Sequence, residues 1–302
     1  MTEPHISCLV VAFHRPELLS GLLGALVAED LEVVVVNVEA DDDVGDVAAS
    51  FGARIENVPS NPGYAAAVNR GVAVARGSVI VFMNDDLVVS AAAVRSLAEV
   101  VDGGPGRVAV PAIHSATGDL ELTILALPTP GRLAWEWMLL PDRPVSFLAT
   151  VLRPEKWRSP RSTERIVAAT GAIVATTRDA LVEEPLPEAY FLYWEEMEWF
   201  WRLARRGTEV LYLPSITVTH LGGREDTRAA KSRLLARNAV RCVRRTQGPS
   251  AAAVAWAAVV GWNIRLVAVA AARGVAGGRP WGELGARLAG LAAAARAIGE
   301  VR

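Results

Sequence analysis

The sequence predicts an α/β fold, a mostly parallel sheet flanked by helices and followed by a C-terminal helical extension. Two observations carry this. Over the first hundred or so residues, short apolar strands alternate with helices across short loops, the spacing of parallel strand–helix–strand units. After residue 225 the pattern is helical throughout, in long Ala- and Arg-rich runs.

In order, 6–13 is a nearly continuous apolar strand, and Pro16 opens a helix carrying Leu18, Leu19, Leu22, Leu23 and Leu26. Residues 31–38 form a second buried strand. The acidic cluster Asp41-Asp42-Asp43 follows, in which Asp42 or Asp43 caps a short helix ending near Phe51 and Gly52. Residues 53–58 are a third strand, and Asn61-Pro62-Gly63-Tyr64 leads into a helix holding Asn69 and Gly71. The run 79–83, apolar and mostly β-branched or aromatic, reads as a strand buried on both faces. Ser90 caps a helix over 91–101. Beyond it, 108–111 is a short strand, 112–127 folds as a hairpin around Thr117-Gly118, and 128–162 is an irregular loop rich in Pro, Arg and Trp. Residues 166–172 form a strand running into a small-residue turn, and 216–219 a strand closed by His220. Helices follow over 226–245, 251–272 and 281–298.

Composition excludes some classes. The chain has 302 residues, 52% of them hydrophobic, enough for one large domain with an appended helical piece. A net charge of −2 gives no overall basic field and argues against nucleic acid as the main partner. Cys8 and Cys242 lie far apart in sequence, one in a buried strand and one in a helix, so reduced thiols are expected. The start lacks the basic and apolar pattern of an export signal, so the expected location is cytoplasmic. The 251–272 helix approaches a membrane span in length, but its alanines and Arg265 favour a packed or interfacial helix, with peripheral contact at the inner face of the membrane.

Four places carry chemistry. The strand 79–83 ends in Asn84-Asp85-Asp86, at the open sheet edge where ligands sit in α/β folds. Adjacent carboxylates repel unless something positive lies between them, and hard oxygen ligands suit Mg²⁺ or Mn²⁺. The same residues also suit a solvated turn. Asn61-Pro62-Gly63 lets backbone N–H groups approach a phosphate, or is an ordinary turn with a glycine at positive φ. In 190–202, Glu195, Glu196 and Glu198 lie in the most aromatic stretch of the chain, where apolar walls would lift a carboxyl toward the range of a general base. As a plain helix start, the same acids are favoured by the helix dipole. His220 matters only if the fold brings it to the acid pair.

Laid out in order, these segments resemble the family 2 glycosyltransferases of GT-A fold, particularly the bacterial rhamnosyltransferase-like branch. The resemblance covers about residues 6–245. Its markers are the opening Val10-Val11-Ala12-Phe13-His14-Arg15-Pro16, Asn61-Pro62-Gly63-Tyr64 with Asn69-Arg70-Gly71, Asn84-Asp85-Asp86, Thr170-Gly171-Ala172, the block 191–198 with Arg202, and His220. It implies a GT-A domain over 1–225, with a nucleotide-binding half to 110 and an acceptor half from 111, and a helical extension over 226–302. It implies inverting transfer of a sugar from a nucleotide-diphosphate donor to a glycan, lipid-linked or small-molecule acceptor, in cell-surface polysaccharide, glycolipid or natural-product synthesis. By the same resemblance Asp86 and His220 hold Mg²⁺ or Mn²⁺ and Glu196 is the catalytic base. Phe13, His14, Asn37, Glu39, Asn61, Gly63, Asn69, Asn84 and Asp85 line the nucleotide side, and Thr170, Gly171, Trp194, Glu195, Glu198 and Arg202 the acceptor side.

The chain departs from the family where Asn37 replaces the usual Asp after the second strand, and where Glu195-Glu196 and Glu198 replace Glu-Asp and a later Asp. These changes support a rival reading, a non-catalytic relative that binds a sugar nucleotide or a protein partner without turnover. A nucleotidyltransferase would want glycines after the first strand, and 13–17 has none.

Overall fold

The computed structural model of the chain describes residues 5–27, 30–104, 106–133, 160–222, 228–275 and 281–300. They fall into two compact units, one of Met1–Ala126, Arg158–Phe191 and Trp199–Gly223, the other of Leu127–Trp157, Leu192–Glu198 and Arg224–Arg302. The unit that holds the C-terminal helices thus also takes in two earlier segments, and its last segment starts at Arg224, where 226 was expected.

The first unit opens with β1 (Ile6–Ala12), α1 (Pro16–Leu26), β2 (Leu31–Val38), α2 (Asp42–Ser50), β3 (Arg54–Val58), α3 (Tyr64–Val74) and β4 (Val79–Asn84). β2 and β4 both pair with β1 in parallel, and β3 continues in parallel beyond β2. The chain thus winds outward on one side of β1 and returns to its other side with β4. The crevice between their carboxyl ends is a topological switch point, the place where open α/β sheets bind ligands. Both strands are buried on both faces, which is why they read as unbroken apolar runs. Leu19, Leu22, Leu23 and Leu26 of α1, at helical spacing, pack into the same core as Val94, Leu97, Ala98 and Val101 of the later helix Ala91–Asp102.

The remaining strands are β5 (Leu87–Val88), β6 (Val108–Ser115), β7 (Ile124–Leu125), β8 (Glu164–Ile166), β9 (Ala168–Ala169), β10 (Ile173–Thr177) and β11 (Val210–His220). The sheet order is β3-β2-β1-β4-β10-β6-β11-β5, with β8 on β11. β10 enters antiparallel between β4 and β6, and β11 runs parallel to β6.

Three expectations change. The cap of α2 is Asp41 rather than Asp42 or Asp43. Its side chain accepts from the Val44 N–H at 3.1 Å, while Asn37 fixes its backbone. The 112–127 hairpin is shortened to the turn at Thr117-Gly118, where the Ser115 N–H donates to the Asp119 carbonyl at 2.8 Å and His114 bridges antiparallel to Leu120, while Ile124 beyond it pairs with Ala169. The run 166–172 is divided among β8, β9 and a turn, with β10 starting only at Ile173. Most of the expected loop 128–162 lies outside the described residues.

The second unit is built on α8 (Arg228–Gln247), α9 (Pro249–Val275) and α10 (Trp281–Arg296). Ala236, Ala239, Val240, Ala252, Val259 and Ala297 form its main buried cluster, and Val243, Ala255 and Ala258 a second. Alanine contacts of this kind let helix axes approach closely. Both cysteines are buried free thiols, as expected, and burial pushes the Cys8 thiol up to about 12.

Candidate active site

At the switch point the two carboxylates of the β4 turn have a cation between them, but it is an arginine. Arg15, just past β1, reaches Asp86 Oδ2 with Nη1 at 3.1 Å and Asp85 Oδ1 with Nη2. The other oxygen of Asp85 accepts the Phe13 N–H at 3.1 Å. Asp85 is 1% exposed with both oxygens committed, so it binds the β1 and β4 turns to each other rather than facing a ligand. Burial pushes its carboxyl up to about 6 even beside Arg15.

Asp86 differs. β5 pairs antiparallel with the end of β11, and the Leu221 N–H donates to the Asp86 carbonyl at 2.9 Å. This delivers His220, 134 residues away in sequence, to Asp86. Its Nε2 faces Asp86 Oδ1 at 3.3 Å, and Oδ1, though buried, makes no regular hydrogen bond. On the far side Nδ1 of His220 meets Glu121 Oε2 at 3.0 Å, which orients the ring. Burial alone would raise the Asp86 carboxyl, yet His220 and Arg15 outweigh it and hold it below the usual range. Asp86, with help from Glu121, pushes His220 up to about 9.

A divalent ion fits this pair. Two ligands at about 2.1 Å from one ion and at right angles lie about 3 Å apart. Asp86 Oδ1 and His220 Nε2 are close to that spacing, and a mixed carboxylate–imidazole pair suits Mn²⁺ better than Mg²⁺. Among the described residues no three His, Cys, Asp or Glu side chains form a complete cation site, so an ion here would draw its other ligands from substrate and water.

The ends of β1 and β2 are strained. His14, Glu39 and Ala40 have φ of 53°, 66° and 50°, each costing roughly 1–2 kcal/mol for a residue with a side chain. Such strain gathers at ligand sites. His14 lies between two carboxylates, Nε2 on Glu39 at 2.8 Å and Nδ1 on Asp41, and these bonds raise its pKa. Asn37 takes no part. Its side chain is 2% exposed, donates to the Asp41 carbonyl at 2.8 Å and to Asn57 Oδ1 at 3.0 Å, and accepts the Asp41 N–H. Both of its donors are used within the protein, and the carboxylates at this edge are Glu39 and Asp41.

Gly63 has φ of 93°, and Asn61 Oδ1 accepts its N–H at 3.0 Å. The backbone of Phe191 crosses directly over it, where a Cβ would meet the Phe191 carbonyl oxygen at 2.3 Å, and the Tyr64 N–H donates to that same oxygen at 3.0 Å. Gly63→Ala should therefore cost roughly 2–4 kcal/mol, combining backbone strain and overpacking. Chemical denaturation reads this, and an unchanged midpoint would mean that the crossing is looser than drawn. The Tyr64 hydroxyl donates to the Gly171 carbonyl at 3.0 Å, and the Asn84 N–H to the Ala172 carbonyl at 3.0 Å, so the 170–172 turn lies at the carboxyl end of β4. Asn69 and Arg202 lie elsewhere. Asn69 donates to the Leu186 carbonyl and to Glu188, and Arg202 pairs with Glu184 at 3.0 Å, so both clasp the segment 184–188.

Helix α7 (Glu195–Arg205), of which Glu195–Glu198 belong to the second unit, begins after Tyr193 and Trp194, both at positive φ, 68° and 78°. Asn238 of α8, fully buried, holds this kink by donating to the carbonyls of Leu192 and Tyr193 at 2.9 and 3.0 Å. The three acids behind the kink are not equivalent. Glu198 is buried and paired with Arg245 at 2.7 Å. Glu195 is 4% exposed, and among the described residues its Oε2 has no hydrogen-bond partner. Glu196 is only partly buried and remains reachable. Burial pushes the Glu195 and Glu196 carboxyls well above the usual range, and Glu196 raises Glu195 further. Sequence reasoning missed Asp41, Glu121, Asn238 and Arg15 as a clasp. Of these, only Arg15 stood inside a marker segment.

The family model described as Glycosyl transferase family 2 matches residues 7–163, which is 157 of the 302 residues. No curated protein matches the chain significantly. Among solved structures it resembles GalNAc-T7 with UDP, GalNAc and Mn²⁺, at 17% identity and a TM-score of 0.58, covering 80% of this chain and 48% of that one. The chain thus spans about half the length of that protein. A mycobacterial protein matches at 20% identity and a TM-score of 0.55, covering 81% of this chain and 75% of that one. Glucosyl-3-phosphoglycerate synthase from Mycobacterium tuberculosis, in complex with Mn²⁺, UDP and glucosyl-3-phosphoglycerate, matches at 20% identity and 0.53, covering 80% of each chain. The shared architecture is the GT-A fold, with the family match lying across the strands that build the switch point. The chain belongs to glycosyl transferase family 2.

Proposed function

We propose that the chain is an inverting glycosyltransferase that moves a sugar from a nucleotide-diphosphate donor to an acceptor hydroxyl with a divalent cation, Mn²⁺ or Mg²⁺. The observation that carries this is the facing pair Asp86 Oδ1 and His220 Nε2 at the switch point. Two of the structural relatives, captured with UDP and Mn²⁺, support the same reading. When bound, the ion would offset the charge that builds on the departing diphosphate. Arg15 keeps Asp86 placed through its second oxygen, and Glu121 keeps His220 turned toward it. The Gly63 turn and the strained His14–Glu39 edge shape the nucleotide side. Glu196 takes the proton of the attacking hydroxyl. A rhamnosyl donor and a cell-surface glycan, lipid-linked or small-molecule acceptor are the finer proposals, and the marker segments alone support them.

The internally committed Asn37 favours the rival, a relative that binds without turnover. Thermal shift against a panel of nucleotide diphosphates, with and without Mn²⁺, followed by sugar transfer with the best binder, separates the two. Mn²⁺-dependent stabilisation with transfer supports the enzyme. Stabilisation without transfer to any acceptor hydroxyl supports the binder of sugar nucleotides, and no stabilisation by any nucleotide sinks both of these and leaves the rival only as a binder of a protein partner.

A further inference from the structure

Charge is divided unevenly along the chain. Residues 1–223 carry 17 Lys and Arg against 29 Asp and Glu, a net −12, whereas 224–302 carry 14 against 4, a net +10. The overall −2 hides this split. Helix α8 alone holds seven Lys and Arg and no acid, with Lys231 and Arg233 exposed.

Helix α9 is two-sided in an unusual way. One side, with Ala252, Ala255, Ala258 and Val259, is packed in the buried clusters of the helical unit. On the other, Ala253, Val254, Ala257, Ile264, Ala268 and Val269 are exposed at helical spacings of three, four and seven, without an exposed charge among them. Val254 is 48% exposed and Ile264 54%. This strip runs about 24 Å at 1.5 Å per residue. Helix α10 adds an exposed Leu288, at 49%, with Gly285 and Ala292 at the same spacing. Arg265 lies half-buried beside the strip, its guanidinium 5.3 Å over the Trp262 ring. Apolar surface this continuous marks an interaction site.

We propose that residues 224–302 form a docking surface for an anionic lipid bilayer, with the exposed strips of α9 and α10 in the headgroup–acyl boundary and the cations of the unit on lipid phosphates. Apolar area and like-signed charge within one unit fit that partner. A second copy paired through the same helical unit would bring another +10 against the first, and a nucleic acid would leave the apolar strip uncovered. Residues Pro249–Val269, with a mean hydropathy of 1.7, are long and apolar enough to span, but one side of α9 is committed to protein and Arg265 would sit within the span. The surface is therefore interfacial. It does not depend on sugar transfer, so its test and that of the proposed activity fail separately.

The test is flotation of the full chain with vesicles of neutral phosphatidylcholine and with vesicles containing about 30% phosphatidylglycerol, where a cluster of cations should give at least tenfold tighter binding. Replacing Val254 and Ile264 together by Glu should weaken binding to both vesicles by tenfold or more while changing the thermal melt little, since both side chains are about half exposed and stand outside the buried clusters. Lys231→Glu with Arg233→Glu should remove only the preference for anionic lipid. The proposal is overturned by no flotation with either vesicle, or by self-association in its place. It is equally overturned by salt-labile binding that ignores Val254 and Ile264 and that RNA competes away, or by membrane protein released with detergent but not with carbonate.

Discussion

Glu196→Gln should lower turnover by roughly two to four orders of magnitude while leaving donor binding almost unchanged, because a base acting on the acceptor contributes mainly in the transition state. The substitution keeps shape and removes the proton acceptor. Among the three acids of this stretch, Glu198 is already bound by Arg245 and Glu195 is enclosed, so Glu196 is the carboxyl that a hydroxyl can reach. Glu198→Gln is the control, expected to lower the melting temperature by weakening the Arg245 pair and to spare most of the turnover. Greater loss of turnover at Glu198 would move the base there, and near-normal turnover in both would end the proposal. The pH profile follows from burial. A base works only when deprotonated, and since desolvation raises the Glu196 pKa, the acidic limb of the rate should rise near neutrality rather than in the usual carboxylate range.

Asp86→Ala should abolish Mn²⁺-dependent binding of a nucleotide diphosphate, a larger loss than the 10–100-fold typical of removing a group behind a ligand. The fold should survive, because Asp85, Arg15 and the Phe13 N–H still join the ends of β1 and β4. Isothermal titration with and without Mn²⁺ decides it. Unchanged affinity and metal dependence would remove Asp86 from the metal site.

The alternation from β1 to β4 was legible because doubly buried strands and amphipathic helices write their burial directly into residue type, and Pro16, Gly63 and Ser90 punctuate them. Asp86 was legible as the end of such a strand. His220 needed the family resemblance, since its partner lies 134 residues upstream and only the β5–β11 pairing joins them. Asn37, Asn69 and Arg202 show the opposite limit. Their residue types suit ligand contact, and only the structure reveals partners within the protein that use the same donors. Asp41 displaced Asp42 and Asp43 as cap because Asn37 holds its backbone, a contact four residues back that a run of three aspartates does not announce.

Arg15 changes what the cation is for. Many metal proteins need their ion to fold, because ligands gathered without it repel one another. Here the guanidinium of Arg15 already balances the acid pair, so bringing these two carboxylates together does not call for a metal ion. On the proposed function, manganese would then bind as a substrate does, arriving with the nucleotide diphosphate rather than with the fold. The same proposal implies that scarcity of the ion would slow transfer and spare the protein, which a thermal melt unchanged by chelator would show.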